Sequence, residues 1–118
     1  MKLPNGEKAF VDTEKLSGYC LNFLHERGKH KARLFSSLLG LTADDAEEVK
    51  AAILKAVQEY EAEPGSADLY GKRYTVDFKM TTEKGSAEVR STWIIRSHED
   101  FARLTSCYIL KKWRPENE

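Results

Sequence analysis

The densest chemistry in this 118-residue chain is the run Arg27-Gly-Lys-His-Lys-Ala-Arg33, which places four cations and a histidine around the start of a helix. Cations there oppose the helix dipole. A local rule broken in this way is what a working site produces more readily than a scaffold position does. His30 is the candidate general base, and Lys31 and Arg33 are candidate phosphate ligands. The plain alternative is a solvated, charged helix start.

A second concentration lies in Glu88-Val-Arg-Ser-Thr-Trp-Ile-Ile-Arg96. Its period of two marks a half-buried strand, with Val89, Ser91, Trp93 and Ile95 on one face and Glu88, Arg90, Thr92, Ile94 and Arg96 on the other. The outward face joins Arg73, Arg90, Thr92 and Arg96 to Thr105, or Ser106 and Tyr108, from the strand that follows. Arginine forks match phosphate oxygens, and threonine and tyrosine hydroxyls can orient a substrate or move a proton. The alternative for Arg90 is a cross-strand pair with Asp77 or a pair with Glu88.

Composition excludes several classes. Lysine plus arginine equals aspartate plus glutamate at 19 each, so any attraction to a polyanion must be local. No apolar run is long enough for a membrane span, and Met1-Lys-Leu-Pro-Asn-Gly lacks the apolar stretch of a secretion signal. The expected setting is therefore cytoplasmic. Cys20 and Cys107 form no C-x-x-C pair and sit in apolar periodic segments, which predicts buried free thiols. His25, His30 and His98 lie apart without zinc-site spacing, no glycine-rich phosphate loop or G-x-S-x-G occurs, and no metal or other cofactor is expected. The acidic pairs Asp44-Asp45 and Glu47-Glu48 read as helix surface.

The elements that must position these residues are legible from periodicity. Asp12 predicts an N-cap for a helix over 13–24 with Leu16, Tyr19, Cys20, Phe23 and Leu24 inward, closed by a left-handed Gly28. A second helix over 29–39 buries Leu34, Phe35, Leu38 and Leu39 and ends at Gly40, with His30 and Lys31 on the inner side of its first turn. Thr42-Ala-Asp-Asp45 starts a third, over 43–62, with Ala46, Val49, Ile53, Ala56, Val57 and Tyr60 inward and Pro64-Gly65 ending it. Glu63 to Gly71 reads as a loop. Strands follow at 72–80, 87–96 and 103–110, the first two joined by a turn in which Gly85 supplies positive φ. The last strand is apolar on both faces, so its inner side cannot be assigned. Lys8 to Val11 is a possible fourth strand, and 111–118 a tail with Trp113 as anchor. Helices followed by a meander define a single α+β domain, its three helices packed on one face of a three- or four-stranded antiparallel sheet.

With these residues in view, the chain resembles a family of uncharacterised small bacterial domains. The resemblance rests on Leu3-Pro-Asn5, Gly28-Lys-His-Lys-Ala-Arg-Leu-Phe35, Tyr74-Thr-Val-Asp-Phe78, Val89-Arg-Ser-Thr-Trp93 and Arg103-Leu-Thr-Ser-Cys-Tyr108. More loosely it is similar to the barnase/EndoU/colicin-nuclease/RelE-like superfamily of toxin ribonucleases. Those carry a histidine on an N-terminal helix and Arg, Ser or Thr, and Tyr on the sheet face that receives RNA. By type and order His30, Arg90, Thr92, Thr105 and Tyr108 take those positions, with Lys31, Arg33 and Arg73 as phosphate ligands. The function this implies is metal-independent RNA cleavage to 2′,3′-cyclic phosphate ends, with RNA and an immunity or antitoxin protein as partners. The alternative is a non-catalytic domain that binds protein or nucleic acid on the same sheet face.

Overall fold

The computed structural model describes residues 1–112. Trp113 and the rest of the tail lie outside the described residues. In chain order, a short 3₁₀ turn Gly6–Lys8 precedes α1 (Thr13–Lys15), which runs into a π-helical turn Leu16–Cys20. Helix α2 (Lys29–Leu39) follows, then a 3₁₀ turn Ala43–Asp45 that feeds α3 (Ala46–Glu59). Strands β1 (Ala62–Asp68), β2 (Gly71–Thr81), β3 (Ser86–Arg96) and β4 (Arg103–Lys112) form one antiparallel sheet in sequence order. The domain is α+β, as the pattern predicts, with the helices on one face of a four-stranded meander.

The inner face of the sheet is Val76, Phe78 and Met80 of β2, Ala87, Val89, Ser91 and Trp93 of β3, and Leu104, Cys107 and Ile109 of β4. Against it pack Leu16, Cys20 and Leu21, then Phe35 and Leu39 of α2, and Val49, Ile53, Ala56 and Val57 of α3. The buried polar atoms in this layer are satisfied: Trp93 Nε1 donates to Ser91 Oγ at 2.9 Å, and Ser91 Oγ donates to the Val76 carbonyl at 2.8 Å. That chain fixes the indole in the middle of the sheet.

Several expectations are corrected. The long first helix is absent. Its first turn is α-helical with Asp12 Oδ1 accepting the Glu14 N–H, but Leu21 N then donates to the Leu16 carbonyl, five residues back, and the helix ends. Asn22 and His25 side chains take up the backbone N–H groups of Leu24, Arg27 and Gly28 and so compete with further helix. Leu24 is therefore 93% exposed and Phe23 half out, where an amphipathic helix would bury both. Gly28 is not left-handed; its φ is −88°, and it stands at the N-cap of α2. Gly40 is left-handed, at φ 69°, as a helix-ending glycine should be. In α2 Ala32, Phe35 and Leu39 are buried, Leu38 is half-buried, and Leu34 is exposed. His30 is exposed too, so only Lys31 of the expected inward pair turns inward. Tyr60 is on the surface.

The segment expected to be a loop is β1, and Pro64-Gly65 lie within it rather than ending a helix. Only Ala62 of β1 is buried, so the strand has no alternation to show. It is a polar edge strand, where proline is tolerated because its missing N–H faces outward. Lys8 to Val11 supplies a single parallel bridge, Phe10 to Arg103, and not a strand. Positive φ in the sheet turns falls on Gly71 (φ 151°), where a Cβ would lie 2.1 Å from the Ile95 carbonyl oxygen, and not on Gly85.

Candidate functional site

The site is built by an irregularity in β4. Thr92 pairs with Ser106 and Trp93 with Leu104, so Thr105 is an extra residue, a bulge. Leu104 and Cys107 are both buried although three apart, and Thr105, Ser106 and Tyr108 are pushed to the outer side. A second bulge, between Ile109 and Lys111, leaves Leu110 on the surface. Strict alternation therefore fails on this strand twice, which is why it looks apolar on both faces.

The outer edge of β4 is met by the first turn of α2. Lys31 Nζ donates to Ser106 Oγ and to Tyr19 Oη, both at 2.9 Å, and lies 5.2 Å from the centre of the Tyr108 ring. The ammonium is half-buried and has no carboxylate partner among the described residues. An ammonium only donates, so both hydroxyl oxygens accept from it and each keeps its own proton to place elsewhere. The positive end of the α2 dipole adds to the same potential. The arrangement is a set of convergent donors around a charge that nothing in the described residues neutralises. Its chemical complement is an oxyanion.

Tyr19 reaches Lys31 because of the π-helical turn and because of Gly28. A Cβ on Gly28 would lie 2.1 Å from the Tyr19 carbonyl oxygen and 3.1 Å from its ring. The α2 start can thus press flush on Tyr19 only with glycine there, and Lys31 follows one turn later. His25 stands edge-on to Tyr19, ring centres 4.7 Å apart. Its Nδ1 accepts the N–H groups of Arg27 and Gly28 at 3.0 Å each, which leaves the ring proton on Nε2. His25 caps the turn into α2 and holds Tyr19 in place. The thiols of Cys20 and Cys107 lie beneath the cluster, free and fully buried. Burial pushes both upward, Cys107 the further, while Lys31 pulls each the other way.

The remaining candidates divide. Arg90 is in a bidentate pair with Asp77, Nε to Oδ1 and Nη2 to Oδ2, both at 2.8 Å. Asp77, Arg90 and Tyr108 form one row across three strands. The guanidinium is held above its usual range by the Asp77 hydrogen bonds first and by Tyr108 as well. Its charge is compensated, so Arg90 steadies Tyr108 and is not the free phosphate ligand expected of it. Thr92 Oγ1 and Thr105 Oγ1 bond to each other at 2.7 Å beside Ser106. Arg73 pairs with Asp68 at 2.9 Å by the β1–β2 turn, apart from the cluster. Arg96 leans on Glu99, whose carboxyl is held low chiefly by Arg103. His30 and Arg33 are exposed, and neither side chain has a partner among the described residues. Helical residues turn by about 100° each, so His30 stands beside Lys31 on the solvent side, at the rim of the cluster.

Sequence reasoning missed Tyr19 as a site residue and underrated Ser106. Tyr19 packs against the core as its stripe predicts, and nothing local signals that its hydroxyl will also meet Lys31. Among the described residues no cluster of three or more His, Cys, Asp or Glu side chains is present that could hold a metal ion, and no helix is long and apolar enough to cross a membrane.

The fold and site together define a small α+β domain with a cationic, hydroxyl-bearing cluster where a helix start meets a sheet edge. The chain belongs to the family described as a domain of unknown function, DUF6883, which it matches over residues 2–111. No curated protein matches it.

Proposed function

We propose that this domain is a metal-independent endoribonuclease whose phosphate-binding centre is Lys31. The observation that supports it is the half-buried ammonium held by Tyr19 and Ser106 with no carboxylate among the described residues to satisfy it. In this reading Lys31 and the two hydroxyls donate to a non-bridging oxygen of the phosphodiester, where negative charge grows in the transition state. The ribose 2′-oxygen attacks phosphorus as His30, at the rim, takes its proton. The bond to the 5′-oxygen breaks, and the Tyr108 hydroxyl, steadied by Arg90, supplies the proton that the leaving oxygen needs. The products are a 2′,3′-cyclic phosphate and a 5′-hydroxyl. Thr92 and Thr105 line the approach. Two buried free thiols favour a reducing, cytoplasmic setting, and a cell that makes such a nuclease needs an immunity or antitoxin protein to cover the site.

A second reading, RNA binding without cleavage, is favoured by one observation: no described residue bonds to His30 to aim its ring at the Lys31 cluster. Incubating the protein with single-stranded RNA and a chelator between pH 5 and pH 8 separates the two. Cyclic phosphate ends that vanish in Lys31→Met support the nuclease. Binding of RNA with no scission at any pH leaves the binding domain, and neither binding nor scission removes both.

A further inference from the structure

The described cations divide by whether a carboxylate answers them. Lys2, Lys8, Lys29, Arg73, Arg90, Arg96 and Arg103 all have carboxylate partners. Arg27, Lys31 and Arg33 have none among the described residues, and Arg27 and Arg33 are exposed; the lysines that also have none, Lys15, Lys50, Lys55, Lys72, Lys84 and Lys111, are spread over α1, α3 and the sheet with its turns. Between Arg27 and Ala43 the sequence contains no aspartate or glutamate at all, while Asp44, Glu47 and Glu48 gather at the start of α3. A chain of zero net charge therefore carries an uncompensated positive face at the start of α2. On the wheel of α2 the order around the helix from the β4 side is Lys31, Leu34, His30, Arg33, each step within about 60° of the next. Leu34 is 42% exposed between the cations, an apolar floor where a base can rest.

We propose that this face is the track for a single-stranded polynucleotide, which leaves the Lys31 cluster and crosses the exposed side of α2 with phosphates on Lys31, Arg33 and Arg27. The inference rests on the proposed phosphate role of Lys31 and deepens it: the ligand is an oligonucleotide strand, not a mononucleotide or a stacked duplex, because the charges curve around the start of one helix, a path that a flexible strand can follow and a stiff duplex cannot. Arg33 and Arg27 are binding residues here and take no part in the reaction.

The test is the salt dependence of binding to a 2′-deoxy oligothymidylate, which cannot be cleaved by 2′-oxygen attack. Three phosphate contacts on a single strand give a slope of log affinity against log salt of about −2, and each lost contact reduces its magnitude by about 0.7. Arg33→Gln and Arg27→Gln should each show that reduction. Lys55→Gln, an exposed cation on α3, should leave the slope unchanged, and a duplex of the same length should bind more weakly. Slopes that stay the same in both arginine variants, or that fall equally in Lys55→Gln, overturn the track. Because the probe is uncleavable, the track stands or falls without reference to scission: RNA cut normally by proteins with unaltered slopes would refute the track and keep the nuclease, and altered slopes with no scission of RNA would do the reverse.

Discussion

Two cations stand on the outer side of the same sheet, both half-buried and both beside Tyr108. Arg90 is locked to a carboxylate by two hydrogen bonds, and Lys31 is held by two hydroxyls. Position on a sheet face does not make a charge available to a ligand. Compensation decides it. A guanidinium whose fork already matches a carboxylate has little left for a phosphate, whereas an ammonium held by neutral oxygens keeps its full charge. Below Arg90 lies a closed hydrogen-bonded lock of Ser91, Trp93 and the Val76 carbonyl. Below Lys31 lie two free thiols, that of Cys20 hydrogen-bonded to the Cys107 backbone and the Ser106 side chain. The first region has the character of scaffold, the second of a site.

The largest effect should come from the contrast itself. Lys31→Met should lower the initial rate of RNA cleavage about 100-fold or more, the loss typical of one oxyanion donor. Arg90→Met should cost less than about tenfold, and about 1 kcal/mol or less in denaturant midpoint analysis, since the pair is half-exposed and screened. Equal losses in the two variants would erase the distinction.

Gly28→Ala should damage only the Lys31 side. Backbone stands in the way of the new methyl, so the π-helical turn or the α2 start must move. About 1–3 kcal/mol of stability should be lost, as in other overpacked sites, and oligonucleotide affinity should fall with it. Unchanged stability in urea would show that Tyr19 is not pinned as described.

Asp77→Asn turns the compensated region into an uncompensated one. With its carboxylate gone Arg90 can take a phosphate, and affinity for RNA at low salt should rise roughly fivefold. No gain, measured by fluorescence anisotropy, would mean that Arg90 faces away from any bound strand.

The smallest effect concerns the thiols. Burial holds Cys20 and Cys107 protonated in the fold, while in the unfolded chain thiols ionise from about pH 8.5. The folded state then binds more protons than the unfolded one, so stability should fall as pH rises above that value. Both thiols should react with a disulfide reagent only on unfolding. Fast reaction of the native protein would place them nearer the surface than the structure does.

Much of this was written locally. The strands β2 and β3 alternate because one face is buried and the other wet. The stripe Ala46, Val49, Ile53, Ala56 and Val57 declares α3, and Gly40 ends α2 because a left-handed residue must. The charge run 27–33 marks where the working surface lies. The rest depends on contacts distant in the chain. Whether Arg90 is free depends on Asp77, 13 residues away. Whether Lys31 has company depends on Ser106, 75 residues away, and on a bulge that no periodicity announces. Phe23 and Leu24 leave the expected stripe because Asn22 and His25 satisfy backbone donors that a longer helix would have used, a competition settled only once the chain packs. Hydrophobic period is a property of neighbours in sequence. The pairing of charges is a property of neighbours in space, and in this protein the second determines which of two cations can hold an anion.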